Sequence, residues 1–180
     1  KAAGLTVFHV VPTLAAALKA VDAGVDGLVV EGGEGGGFKN PRDVATMVLL
    51  PLVASKVDVP IVAAGGICDG AGMAAAFALG AEGVQMGTRM VSAAESPVHD
   101  NWKQAIVAAA ETDTVFLNRF SRPGLRALRT ERSGRLEHED HVDMSEFGRA
   151  KDLYFGGDME AAIALAGQVV GRIDRVVPVS

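Results

Sequence analysis

The chain has 180 residues, enough for one domain with a sizeable core. An apolar fraction of 49% and a charged fraction of 22% exclude a disordered chain, and a formal net charge of −5 speaks against nucleic acid, which needs a basic face. The lone cysteine, Cys68, excludes an internal disulfide framework and fits a reducing, cytoplasmic compartment, and charges or glycines interrupt every apolar run short of membrane-spanning length.

In chain order, Lys1 and not Met opens the sequence, almost directly into a strand, so the chain reads as the middle of a longer protein. The β-branched run Val7-Phe8-His9-Val10-Val11 predicts a strand, with His9 expected buried and hydrogen-bonded. Pro12-Thr13 opens a helix whose apolar positions Leu14, Ala17, Leu18 and Val21 repeat at helical spacing, and Gly24 stops it. Gly27–Val30 is a second strand, followed by a loop with five glycines and two glutamates across residues 31–38. Such a loop either lies flat against a planar ligand or acts as a flexible surface lid. Glu34 is its candidate acid–base or hydrogen-bonding group and Lys39 a candidate anion contact. Asn40-Pro41 predicts a helix start, with Pro51 breaking the helix that runs to about Lys56.

A third strand over 59–64 ends in Gly65-Gly66. A helix capped by Asp69 follows, and a fourth strand over 84–86 ends in Gly87-Thr88. The joint Ala23-Gly24-Val25-Asp26-Gly27-Leu28 repeats in type as Leu79-Gly80-Ala81-Glu82-Gly83-Val84, so the first 110 residues are built from repeated βα units on a parallel sheet covered on both faces. Beyond Glu111 the arginine-rich run to Arg135 and the acidic Glu137–His141 predict an exposed excursion. Residues 158–176 predict a closing amphipathic helix with Ala162, Leu165, Ala166 and Val169 on one face.

The glycine pairs carry the chemistry. Glycine lets backbone N–H groups approach an anion, and a following helix N-terminus adds a favourable dipole, so Gly65-Gly66 and Gly87-Thr88 on neighbouring strands form a candidate phosphate cradle. The spacing Gly65-Gly66-Ile67-Cys68-Asp69-Gly70 does not supply the dinucleotide fingerprint, and no Walker A pattern is present. In (β/α)8 barrels such a cradle follows strands seven and eight, which favours residues 1–110 as the second half of a barrel, strands five to eight, over a complete small open sheet, with 111–180 a C-terminal helical and loop segment packing on it. Cys68 reads as a small buried hydrophobe, His99 as structural near a helix start, and His138 with His141 as part of a solvated acidic loop more readily than a metal site.

The runs Ala63-Ala64-Gly65-Gly66-Ile67, Ala78-Leu79-Gly80-Ala81-Glu82-Gly83-Val84-Gln85-Met86-Gly87-Thr88-Arg89 and Glu95-Ser96-Pro97 with His99 and Lys103 resemble the nitronate monooxygenase family, formerly 2-nitropropane dioxygenase, which includes flavin-dependent enoyl-acyl carrier protein reductases. The resemblance covers that family's second half. It implies a (β/α)8 barrel binding FMN without a covalent link, with Gly65, Gly66, Gly87 and Thr88 at the phosphate and Ala64, Gln85 and Met86 nearby. The family's Glu-Ala-Gly-Gly-His loop, beside the isoalloxazine, matches Glu34-Gly35-Gly36-Gly37-Phe38. The histidine that serves as base in the nitronate enzymes is therefore Phe38 here, which cannot take a proton.

The resemblance implies an FMN-dependent oxidoreductase that draws electrons from NADH or NADPH and reduces an unsaturated or acyl-CoA-like small molecule. Nitronate oxidation is the alternative within the family, and a non-catalytic flavin- or phosphate-binding subunit the alternative outside it. No membrane partner is expected. Half a barrel exposes two sheet edges, which predicts aggregation or a homo-oligomer for the isolated chain.

Overall fold

A computed structural model describes residues 3–179. In chain order the elements are β1 (Phe8–Val11), α1 (Leu14–Asp22), β2 (Gly27–Glu31), β3 (Gly37–Lys39), α2 (Thr46–Ala54), β4 (Ile61–Ala64), α3 (Gly70–Ala78), β5 (Gly83–Gln85), α4 (Thr88–Val91), α5 (Asp100–Ala108), β6 (Thr114–Leu117), β7 (Gly124–Leu128), α6 (Glu131–Leu136) and α7 (Ala150–Tyr154), with 3-10 turns at Met144–Phe147 and Gln168–Arg172. They form two compact units, one of residues 1–34 and 43–86, the other of residues 35–42 and 87–180. Among the described residues no helix is long and apolar enough to cross a membrane.

The first unit is the expected parallel βα array. Its sheet has the order β1-β2-β4-β5, every pair parallel. Leu28, Val30, Ile61 and Ala63 share one face by register and are almost wholly buried beneath Ala17 and Ala20 of α1, Leu49, Leu50 and Val53 of α2 and Ala76 of α3. α1 and α3 begin and end at local signals. Thr13 Oγ1 accepts the Ala16 N–H and Asp69 Oδ1 accepts the Gly72 N–H, while Gly24 and Gly80 leave α1 and α3 with φ of +84° and +100°.

Four expectations fail here. α2 starts at Thr46 and not at Asn40-Pro41, because the Asn40 side chain accepts the Arg42 N–H and closes a local turn instead. It then runs unbroken through Pro51. The carbonyl that loses its partner belongs to Met47, whose side chain is exposed, so water can serve it. His9 is exposed, not buried, because β1 is an edge strand. The sheet face bearing Phe8, Val10 and Val62 also departs from the expectation of full cover. Phe8 and Val10 are each 46% exposed, and the Phe8 ring lies where a side chain on Gly27 would have to go.

The second unit overturns the reading of residues 111–180 as an exposed excursion with a closing helix. β6 and β7 form an antiparallel hairpin, and β3 pairs with the far side of β7. All five residues of β7 are buried, Arg126 included. The period-two alternation decides this. Val115, Leu117, Leu125 and Ala127 face a core with Leu136, Val142 and Ile163, and the opposite face carries Phe116 between Arg119 and Arg126, whose guanidiniums lie 4.1 and 5.3 Å from the ring centre. Buried Asn118 ties the hairpin turn down, donating to the Pro123 and Val142 carbonyls and accepting the Val142 N–H at 2.7 Å.

Residues 158–176 form no α-helix; they are irregular apart from the 3-10 turn at Gln168–Arg172. Ala161 to Ala164 are all buried, so both faces of the segment are inside, and its backbone bonds laterally. Ala164 O accepts from Leu128 N–H, Ile163 N–H donates to Phe147 O, and Ala161 O accepts from Arg149 N–H. Gly167 and Gly171 disfavour a helix here, and a side chain on Gly171 would strike the Glu111 backbone.

Candidate functional site

The site residues of the first unit gather at the C-terminal ends of its strands. Ala64, the last residue of β4, pairs with Gln85, the last of β5, so the chain leaves both strands at the same level. After β4 it passes through Gly65 and Gly66 with φ of +86° and +75°, a pair of left-handed residues that side chains would strain. Successive backbone N–H groups in such turns make anion-binding concavities. After β5 come Met86, half-buried, and then Gly87.

Glu34 has a different setting from the free loop carboxylate that the sequence suggests. Both its oxygens accept the Thr46 backbone N–H, at 3.0 and 2.9 Å, and the Thr46 hydroxyl lies 3.0 Å from Oε2. Ala45, the N-cap of α2, makes no side-chain cap. Glu34 takes that place from twelve residues upstream, where the helix dipole favours its negative charge. The buried Thr46 hydroxyl also has the Ala64 and Gly65 carbonyls within 3.3 and 3.0 Å, and its single proton serves one of three acceptors. Thr46 thus joins the Glu34 loop, the start of α2 and the glycine turn after β4. Sequence reasoning missed it, since a threonine one residue into a helix has no pattern that would mark it. A side chain on Gly66 would meet the Glu34 carboxyl carbon at 3.6 Å, so carboxylate and glycine turn are neighbours.

The glycines of the 31–38 loop are needed for packing. A side chain on Gly32 would occupy the space of the Thr46 hydroxyl, and one on Gly33 would stand 2.7 Å from Asp43 Cβ.

In the second unit, Gly35 is buried, Gly36 lies against the Ala166–Gly167 backbone too closely for any side chain, and Gly37 has a φ of +81°. Gly37, Phe38 and Lys39 are a strand and not a lid, since β3 is hydrogen-bonded to β7 with Phe38 opposite Leu125. Phe38 is nonetheless 56% exposed, and its ring meets that of Phe147 edge-on at 5.9 Å. Thr88 is buried and its oxygen accepts the Gly167 N–H at 2.9 Å, which leaves the hydroxyl proton available to an acceptor. Gly87 has a φ of −93° and nothing within 4 Å of where a Cβ would stand. The chain's own packing therefore does not require glycine there. A ligand pressed against the backbone would.

Other candidates resolve simply. His99 caps α5, its Nδ1 accepting the Asn101 N–H. Cys68 is buried. His141 is 3.1 Å from Ser121, and no group of three or more histidine, cysteine or carboxylate side chains among the described residues is arranged to hold a metal ion.

The left-handed Gly65-Gly66 turn of the first unit and, in the second, the open backbone at Gly87 and the Thr88 hydroxyl each suit an anion. The sequence model of the nitronate monooxygenase family matches residues 1–180. The chain is 43% identical over 142 residues to a (3aS,4S,5R,7aS)-5-hydroxy-7a-methyl-1-oxo-octahydro-1H-indene-4-carboxyl-CoA dehydrogenase of Rhodococcus jostii, a match covering 79% of this chain and 40% of that protein. It is 37% identical over 140 residues to a probable nitronate monooxygenase of Staphylococcus haemolyticus, covering 73% of this chain and 39% of the relative. The structure of FabK from Thermotoga maritima superposes with a TM-score of 0.89 at 39% identity, over 97% of this chain and 57% of FabK. The chain thus spans about two fifths of the curated relatives and a little over half of that structure. With the family model matched along its whole length, the chain belongs to the nitronate monooxygenase family.

Proposed function

We propose that this chain is the cofactor-phosphate-binding part of an FMN-dependent oxidoreductase, acting in a cytoplasmic protein as an NAD(P)H-dependent reductase of an unsaturated or acyl-CoA-like substrate. In this reading the first unit supplies strands five to eight of a (β/α)8 barrel, within residues 1–110, and strands outside these 180 residues cover the edges β1 and β5. The half-exposed Phe8 and Val10 and the 57% coverage of FabK support it.

The observation that carries the cofactor assignment is the glycine geometry at the strand ends. The N–H groups after β4, at Gly65 and Gly66, and those at Gly87 and Thr88 would hold the FMN phosphate, with the Thr88 hydroxyl donating and Ala64, Gln85 and Met86 alongside. Bound flavin supplies hydride or electron transfer. The chain's residues bind and orient it. Thr46 fixes the Glu34 carboxylate and the Gly65 turn, and Gly35, Gly36, Gly37 and Lys39 shape the substrate side.

Phe38 decides between the two family chemistries. A nitronate base must accept a proton, and a phenyl ring has no atom to receive one. It packs on apolar substrate instead, which favours reduction over nitronate oxidation, and the relative named as a carboxyl-CoA dehydrogenase points to the same substrate class.

The test is reconstitution of the full-length protein with FMN, followed by bleaching of the flavin absorption bands with NADH or NADPH and reoxidation by unsaturated acyl-CoA thioesters. Turnover with these and none with nitronates is expected, with nitronate activity gained on Phe38→His. Flavin bands that neither nucleotide bleaches would make the chain a flavin-binding subunit, and efficient nitronate turnover by the wild type would overturn the reductase reading.

A further inference from the structure

Among the described residues of the second unit there is an apolar cavity of about 150 Å³, lined by Phe38, Leu125, Phe147, Tyr154, Ile163 and Leu165 with two alanines, Ala150 and Ala162. Independent stretches of sequence build it. β3 brings Phe38 opposite Leu125 of β7, the 3-10 turn brings Phe147, α7 brings Ala150 and Tyr154, and the irregular segment after it brings Ala162, Ile163 and Leu165. The walls are braced from behind. Trp102, itself buried, packs edge-on against Tyr154 at 4.6 Å, and Asp143 caps the turn that carries Phe147 by accepting the Ser145 N–H. The Ser145 N–H and hydroxyl hold the Asp143 carboxyl below its ordinary value.

We propose that this cavity binds one uncharged carbocyclic ring, or a branched acyl chain of similar bulk, as the apolar part of the substrate. The size sets the class. A hollow of about 150 Å³ lined by Leu, Ile and Phe has room for a benzene-sized molecule. No charged side chain lines the cavity, so a charged group would enter unpaired and is excluded. Phe38 extends the apolar wall of the cavity to the surface. This ring is more than half exposed although it stands directly opposite the buried Leu125 in the sheet, and an apolar ring left open beside an apolar hollow marks a binding surface. Ring binding stands on this geometry alone; its identity as part of the substrate rests on the oxidoreductase reading.

The experiment uses toluene as the probe, titrated into the full-length protein with and without FMN and followed by ligand-observed NMR. Saturable binding is expected in both states. Ala150→Leu, at the exposed first residue of α7, and Ala150→Met as a second variant put a side chain into the mouth and should weaken toluene about tenfold or more while FMN titrates as in the wild type. Both residues are good helix formers, and circular dichroism checks the fold. Absence of saturable toluene binding, or equal binding by wild type and both variants, would overturn the proposal. Toluene binding without FMN binding would leave the cavity standing and overturn the flavin reading instead.

Discussion

Gly66 and Gly87 are glycines for different reasons. Gly66 has a φ of +75° and the Glu34 carboxyl close by, so a side chain is strained whatever binds. Gly87 has an ordinary backbone and open space around it, and only a ligand would make a side chain there costly. Thr46 ties the Glu34 loop, the start of α2 and the turn after β4 together. Thr46→Val keeps the volume but removes the hydroxyl shared by Glu34, Ala64 and Gly65, and should destabilise the protein by about 1–2 kcal/mol in urea unfolding, with Thr46→Ser close to wild type. The glycines were legible in the sequence because glycine followed by a helix start is a local pattern. The Glu34–Thr46 contact was not, since it joins residues twelve apart across a turn whose path no propensity specifies.

At the scale of elements, the four parallel strands and their helices could be read from the repeated joint at 23–28 and 79–84, because each βα unit is defined by neighbours in sequence. The three-stranded sheet could not. β3 is three residues long, contains a left-handed glycine, and finds its partner β7 more than eighty residues later. In β6 and β7 the arginines hid the alternation, because Arg126 is buried against the Phe116 ring and the Thr114 hydroxyl and not in water. The buried face of this hairpin is what holds the second unit together. Leu117→Ala should cost about 2–5 kcal/mol, read from the unfolding midpoint of the full-length protein, as expected for a leucine almost wholly enclosed in a core. A cost below about 1 kcal/mol would return the hairpin to the surface.

For the whole molecule, composition excluded broad classes, and the motif at 63–89 led to the family that the match over 180 residues shows. Function divides between the units in the proposed account. In that account the Gly65-Gly66 turn of the first unit is given to the cofactor, and Phe38 of the second, with the cavity beside it, to the substrate. The central claim is that the glycines after β4 and β5 hold the phosphate of FMN. The most direct measurement is a fluorescence titration of FMN into full-length wild type and Gly87→Ala, with thermal melting of each. The account predicts saturable binding of one FMN by the wild type, and for the variant an unchanged fold, within about 0.5 kcal/mol, with FMN weakened about tenfold or more. Failure of the wild type to bind FMN, or equal affinity in Gly87→Ala, would contradict it.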